Sequence, residues 1–178
     1  MASLSEFFSD PASSGEWKLV TDQSTIAVKA KSMWGLAPVK GRFTEFSGGG
    51  QVTAPQTVSG SIDIKAGSMR TGIRKRDEHM ASADFFEAEK FPDIGVVVTG
   101  ADAVDGDTVN LRADLTVKGT TKPIELRTKV TPTGDGGMRL TATGTVNRQD
   151  FGVDGNLLGM VGDNATLIGD VVFRRTQT

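Results

Sequence analysis

The chain has 178 residues and 18.8 kDa, with 20 basic and 22 acidic side chains and a net charge of −2. That balance gives no global field to draw nucleic acid or an anionic membrane, and the absence of cysteine excludes disulfides and thiolate metal sites. Glycine is abundant at 22, phenylalanine numbers nine and tyrosine is missing, the composition of a many-turned β protein long enough for one well-filled domain.

Residues 1–15, rich in serine and alanine, read as a flexible N-terminal tail on which Phe7 and Phe8 could dock, with the folded domain expected over 16–178. This opening stretch lacks the cationic start and apolar run of a secretory signal, and no later segment reaches the roughly 18 apolar residues of a membrane span, so a cytoplasmic protein is expected. Ser24 to Trp34 then alternates, with Ile26, Val28 and Ala30 on one face and Lys29 and Lys31 on the other. Val39 to Thr53 reads as one long strand containing Phe43, and Gly48-Gly49-Gly50 in its middle predicts a sharp bend or bulge. Val58, Gly60, Ile62, Ile64 and Ala66 continue at period two.

Thr71 to Pro92 interrupts this alternation as the one helix-prone island, and Met80, Phe85, Phe86 and Phe91 within it must bury against the sheet. Strands resume with Ile94, Val96 and Val98, then with Val109, Leu111, Ala113, Leu115 and Val117. Ile124, Leu126, Thr128 and Val130 form the next apolar face, followed by Met138, Leu140, Ala142, Gly144 and Val146, and Ala165 to Phe173 closes the series. Asp105-Gly106-Asp107 and Gly134 to Gly137 supply the short turns, and Pro123 enters its strand where a missing N–H costs least.

About eight strands without long helices between them predict an all-β fold, a single antiparallel up-and-down barrel of eight strands with a short helical flap. Such a barrel either packs solid or holds a small ligand, and the small inward residues Ala30, Gly60, Ala66, Ala113, Ala142, Gly144 and Gly169 leave room inside.

The chemistry-bearing clusters are sparse. His79, the only histidine, stands near Asp77, Glu78 and Asp84, but no nucleophile accompanies it and one histidine without cysteine cannot supply the usual nitrogen and sulfur ligands of zinc, so capping by the two aspartates and a structural hydrogen bond from His79 is the expected role. Asp150-Phe151-Gly152 lacks the companion motifs of a kinase, and Asp154-Gly155-Asn156 lacks the acidic spacing of a calcium loop. Arg148 sits at a strand end pointing inward, with Asp150 as its expected partner. Arg70, Arg74, Lys75 and Arg76 beside the island form a basic run that could meet phosphate as readily as it could serve as solvated loop charge.

Five motifs in order carry a resemblance. Thr71-Gly72 with Arg76-Asp77-Glu78-His79-Met80-Ala81-Ser82-Ala83-Asp84-Phe85-Phe86 and Phe91-Pro92, Val39-Lys40-Gly41-Arg42-Phe43 with Phe46, Leu115 to Pro123, Arg148 to Gly152, and Val161-Gly162-Asp163 together resemble the YceI family of lipocalin-like polyisoprenoid-binding proteins over about residues 17 to 175. The resemblance implies a non-catalytic carrier with a hydrophobic tunnel for a polyisoprenoid lipid, a polyprenyl diphosphate or a quinone tail, without cofactor or metal. Tunnel contacts are then expected from Ile26, Val28, Ala30, Trp34 and Phe43, from Ile62, Ile64, Met80, Phe85 and Phe86, from Val96, Val98, Leu111, Ala113 and Leu115, and from Leu126, Leu140 and Ala142. Arg70, Arg74, Lys75, Arg76, His79 and Arg148 are the head-group candidates. Where relatives often carry a histidine near the end of the first long strand, this chain has Ser32-Met33-Trp34, so that histidine's role does not transfer. An isoprenoid-modifying enzyme using His79 with Asp77 or Arg148, and a packed barrel acting as a stress or interaction module, are the competing readings. Transient membrane contact and a homodimer are the associations left open.

Overall fold

The structure is a computed structural model that describes residues 14–30, 39–53, 57–83, 85–153 and 163–176. The tail residues Phe7 and Phe8, and Trp34, Asp84, Asp154-Gly155-Asn156 and Val161-Gly162, lie outside them.

The ordered strands are β1 (Gly15–Leu19), β2 (Thr25–Ala30), β3 (Val39–Phe43), β4 (Phe46–Thr53), β5 (Thr57–Lys65), β6 (Met69–Arg70), β7 (Asp93–Ala103), β8 (Thr108–Val117), β9 (Thr120–Pro132), β10 (Gly137–Asn147) and β11 (Asn164–Arg175). Their pairing runs β4-β5-β7-β8-β9-β10-β11, and β1 bridges β4 and β11 to close the ring. Eleven segments make eight barrel strands because the first three strands are each broken at one level: β2, β3 and β6 extend β1, β4 and β5. All neighbours are antiparallel and sequential, as the short turns predicted.

Two serines hold the breaks. At the first, a 3-10 turn at Thr21–Gln23, Ser24 Oγ donates to Val20 O at 2.7 Å and accepts from Val172 N–H at 2.9 Å. At the others, buried Ser68 ends the 3-10 turn at Ala66–Ser68, donating its hydroxyl to Lys65 O at 2.7 Å, while Glu45 N–H donates to that hydroxyl at 3.1 Å and Thr44 N–H to Ser68 O at 3.1 Å. The bend in the Val39 to Thr53 strand thus falls at Thr44-Glu45, away from the glycine run where the sequence placed it. Gly48 to Gly50 pairs with β5 in unbroken register, and the glycines serve close approach instead: a Cβ on Gly48 or Gly50 would lie 2.6 Å from the carbonyl oxygen of Ser61 or Ser59.

The helix-prone island folds into one short helix, α1 (Arg74–Ala81), followed by turns through Phe91. None of the eight helical residues is buried; the burial belongs to Phe85 and Phe86 just after it. Two apolar clusters fill the barrel ends. One, under the flap, gathers Phe43, Met69, Phe85, Phe86, Phe151 and Val153; the other, at the far end, gathers Trp17, Val52, Val109, Val130 and Met138.

Candidate functional site

Between those clusters the barrel is hollow. A cavity of about 280 Å³ runs from Phe85, Phe86 and Phe151 at the flap end to Trp17 and Met138 at the far end. Inward residues midway, Ile62, Val96, Leu126, Leu140 and Leu167, are only half-buried although they face the interior, because what they face is space rather than packed side chains. The space has a local cause on β10 and β11. A Cβ built on Gly169 would touch nothing nearer than the Ala142 Cβ, at 4.0 Å, so that side of the wall has no side chain to fill it.

Of the expected tunnel residues, Ile26, Val28, Ala30, Phe43, Ile62, Ile64, Met80, Phe85, Phe86, Val96, Val98, Leu111, Leu115, Leu126, Leu140 and Ala142 line the cavity. Ala113 does not: it pairs with Val98 and Ile124 and is only 1% exposed, too short to reach past its larger neighbours. Trp17, Met138, Phe151 and Val153 also line the cavity and were not expected there. Alternation around Trp17 and Leu19 signals β1, but five residues beside a serine-rich tail are too few to stand out.

The head-group candidates separate. Arg148 is the only charged residue among the described lining and is 8% exposed. Its guanidinium donates to Val153 O at 2.7 Å and lies 3.8 Å from Asp163 Oδ1; Asp150, its expected partner, is exposed instead. The 3-10 turn Arg148–Phe151 explains this, since it turns Asp150 outward while Asn147 caps it by accepting from Gln149 N–H at 2.9 Å. Arg70, Arg74 and Lys75 are exposed and off the cavity lining, Arg74 pairing with Glu78 at 3.3 Å along α1. Arg76 turns to Thr71, donating to its hydroxyl and its carbonyl at 2.9 Å each.

The flap is held by side chains. Asp77 Oδ1 accepts from the Thr71 N–H at 2.7 Å and hydroxyl at 2.6 Å, and these bonds hold its carboxyl below the usual carboxylate range. His79 is half-buried with its ring edge-on to Phe85, 5.1 Å between centroids. Lys118, at the β8–β9 turn, donates to Ala83 O at 2.9 Å and to Gly152 O at 3.2 Å, joining flap, turn and the 3-10 segment. No group of three His, Cys, Asp or Glu that could hold a metal ion occurs among the described residues.

Comparison with known proteins matches this geometry. Residues 17–173 match the family described as YceI-like domain. A UPF0312 protein of Pseudomonas putida is 34% identical over 128 residues, 68% of this chain and 67% of that one, and one of Pseudomonas fluorescens is 32% identical over the same span. Among solved structures, Burkholderia cenocepacia BcnA superposes with a TM-score of 0.80 at 21% identity, covering 86% of this chain and 98% of its own. A polyisoprenoid binding domain from Saccharophagus degradans, implicated in plant cell wall breakdown, gives 0.76 at 17% identity over 90% and 98%. At these identities the likeness establishes the barrel.

Proposed function

The chain belongs to the YceI-like family, and from that premise we propose that it is a non-catalytic carrier which holds a long-chain polyisoprenoid lipid by its tail. The observation that carries this reading is the continuous apolar cavity, whose described lining includes a single charge, Arg148. A polyprenyl diphosphate or an isoprenoid quinone would lay its tail along the barrel and set its head toward the flap end. A cavity of about 150 Å³ holds benzene, so one of about 280 Å³ takes roughly ten carbons, and burying them at roughly 0.8 kcal/mol per methylene yields a gross gain of about 8 kcal/mol. Ordering a flexible tail offsets part of that gain, and with an apolar lining length and shape select the ligand more than polar contacts do.

The fittings at the flap end favour holding over turnover. Asp77 is bound to Thr71 and Arg148 to the Val153 carbonyl, so both candidate partners of His79 in an acid–base pair are engaged in holding loops. Transient contact with a membrane would deliver and collect the lipid.

The test is extraction of the purified protein, never exposed to detergent, with organic solvent followed by mass spectrometry. A stoichiometric isoprenoid is expected; protein from native cells that carries no lipid and binds no added prenol sinks the reading. Incubation with prenyl diphosphates, with products followed by chromatography, checks the other half. Conversion that disappears in His79→Gln would make the protein an enzyme.

A further inference from the structure

The barrel wall is not zipped to the same height everywhere. β9 pairs with β10 from Pro132–Met138 to Arg127–Thr143, and the pairing stops there. Yet β9 goes on pairing with β8 as far as Thr120, and β10 with β11 as far as Asn147. Residues 123–126 and 144–147 therefore face each other across a seam at the flap end.

β9 contributes one cause. Val130 N–H donates to Asp107 O on the β8 side at 2.8 Å, so by strand alternation the odd-numbered residues of β9 turn their N–H groups toward β10. Pro123 is one of them and has no N–H to give. A crevice opens on the outer side of this seam, with Lys122, Glu125, Thr145 and Asn147 on its rim. Ile124, Val146 and Phe151 line both this crevice and the central cavity, so these three side chains stand between the two spaces. The β5–β7 pairing also ends short, at Gly60–Val98, but there Val58 packs into the far-end apolar cluster.

We propose that the β9–β10 seam is a side entrance through which a lipid tail passes into the cavity, with Phe151 as its movable bolt; this rests on the isoprenoid-carrier reading above. Parting the wall at a paired stretch breaks ladder hydrogen bonds, and opening the flap frees Phe85 and breaks the Lys118 bonds. Opening the seam breaks no ladder pair: it moves Ile124, Val146 and Phe151, parts the close approach of Gly144 to the Glu125 carbonyl and Leu126, and strains the one Lys118 bond to Gly152. Phe151 rides on a one-turn 3-10 segment that ends at Gly152, whose φ is +72° and whose N–H closes the turn, so its ring can swing on a segment of four residues. An entrance with an apolar throat and a mixed-charge rim admits a tail directly from a lipid surface, so the chain never crosses water.

The chain has no cysteine, so a staple across the seam is unambiguous. Exposed Glu125 and Thr145 would be replaced together, Glu125→Cys with Thr145→Cys, and the paired positions Ser47→Cys with Asp63→Cys on β4 and β5 would serve as control. Loading of all-trans-retinol, an isoprenoid polyene that accepts energy from tryptophan, would be followed in a Trp34→Phe background by quenching of Trp17, the remaining tryptophan, which lines the cavity. Oxidation of the seam pair, checked by thiol count, should slow loading at least tenfold with little change in equilibrium affinity, and reduction should restore it. Where the disulfide does not close, a short bis-maleimide joins the same thiols. Phe151→Leu should load several-fold faster. Unchanged loading with the seam closed, or equal slowing by the control pair, overturns the entrance while binding itself persists. A wild-type protein that never binds retinol and yields no lipid sinks the carrier reading and the entrance with it.

Discussion

The two ends of the barrel are closed by different means. At the far end, β-hairpins and the meeting of both terminal strands do the work, and charged pairs lie over them: Arg174 to Asp135 at 2.7 Å, Arg139 to Asp170, and Lys129 to Asp107 at 3.7 Å. At the flap end the closure is a non-repeating segment whose short helix buries nothing, held by Phe85, Phe86 and the Lys118 contacts. Backbone ladders resist opening all at once, whereas side-chain packing gives way one contact at a time. The far end is built to stay shut and the flap end to yield.

The largest expected effect tests that division directly. Phe85 is fully buried, and Phe85→Ala should cost about 3–5 kcal/mol in chemical denaturation, with amide exchange accelerating in residues 74–91 ahead of the far-end strands. Equal acceleration at both ends would show that the barrel opens as one unit.

A second pair of variants separates the wall from the cavity. Ala113→Phe forces a ring into a filled position and should destabilise by about 1–3 kcal/mol. Ala142→Phe faces the empty side of the cavity beside Gly169, so it should cost less than about 1 kcal/mol while displacing lipid. Thermal melts and lipid content of the two proteins would reverse their order if Ala142 were packed like Ala113.

Lys118→Met keeps the stem of a side chain that is 15% exposed but removes its two bonds to the Ala83 and Gly152 carbonyls. A loss of about 1–2 kcal/mol is expected, read as faster exchange in the flap and in residues 148–153 alone.

The smallest effect is at the far end and comes with acid. Hydrogen bonds from Arg174 and Thr133 hold the Asp135 carboxyl far below the usual range, and Arg139 does the same for Asp170 more mildly. A folded pKa depressed below the unfolded value of about 3.9 stabilises the protein above that pH, and the contribution fades as pH falls further. Both pairs are largely exposed and screened by salt, so the loss is small. Titration below about pH 4 should loosen β10–β11 detectably at low salt, and Asp135→Asn should remove part of that dependence.

The barrel was legible because its strands carry their faces at period two and the β7–β8 and β9–β10 turns carry glycine, so Ile26, Val28 and Ala30 could be set inside from spacing alone. The breaks were not, since Ser24, Ser68 and Thr44 act through hydrogen bonds to backbone distant in sequence, which no local pattern records. Ala113 shared its neighbours' parity, but whether an inward alanine reaches the cavity depends on the bulk of Val98 and Ile124 across the strands. The basic run read as a single cluster, whereas helix geometry sends Arg74 along α1 to Glu78 and Arg76 back to Thr71. Arg148 was picked out by its parity, but its loop partners lie beyond the turn that carries it.

The closing pair of the ring joins Trp17 to Arg175, and Thr176 N–H donates to Glu16 O at 2.9 Å. The first and last described strands therefore lie side by side, and the contact that completes the cylinder joins residues 158 positions apart in sequence, from Trp17 to Arg175. Such distant pairing is slow to form. During synthesis every other strand of the barrel precedes β11, so the ring keeps two unpaired edges until residues 164–175 are available. A circular permutant that joins β11 to β1 through a short linker and opens the β7–β8 turn at Asp105-Gly106 would change that order, placing β11 mid-chain and making its closure to β1 a local event.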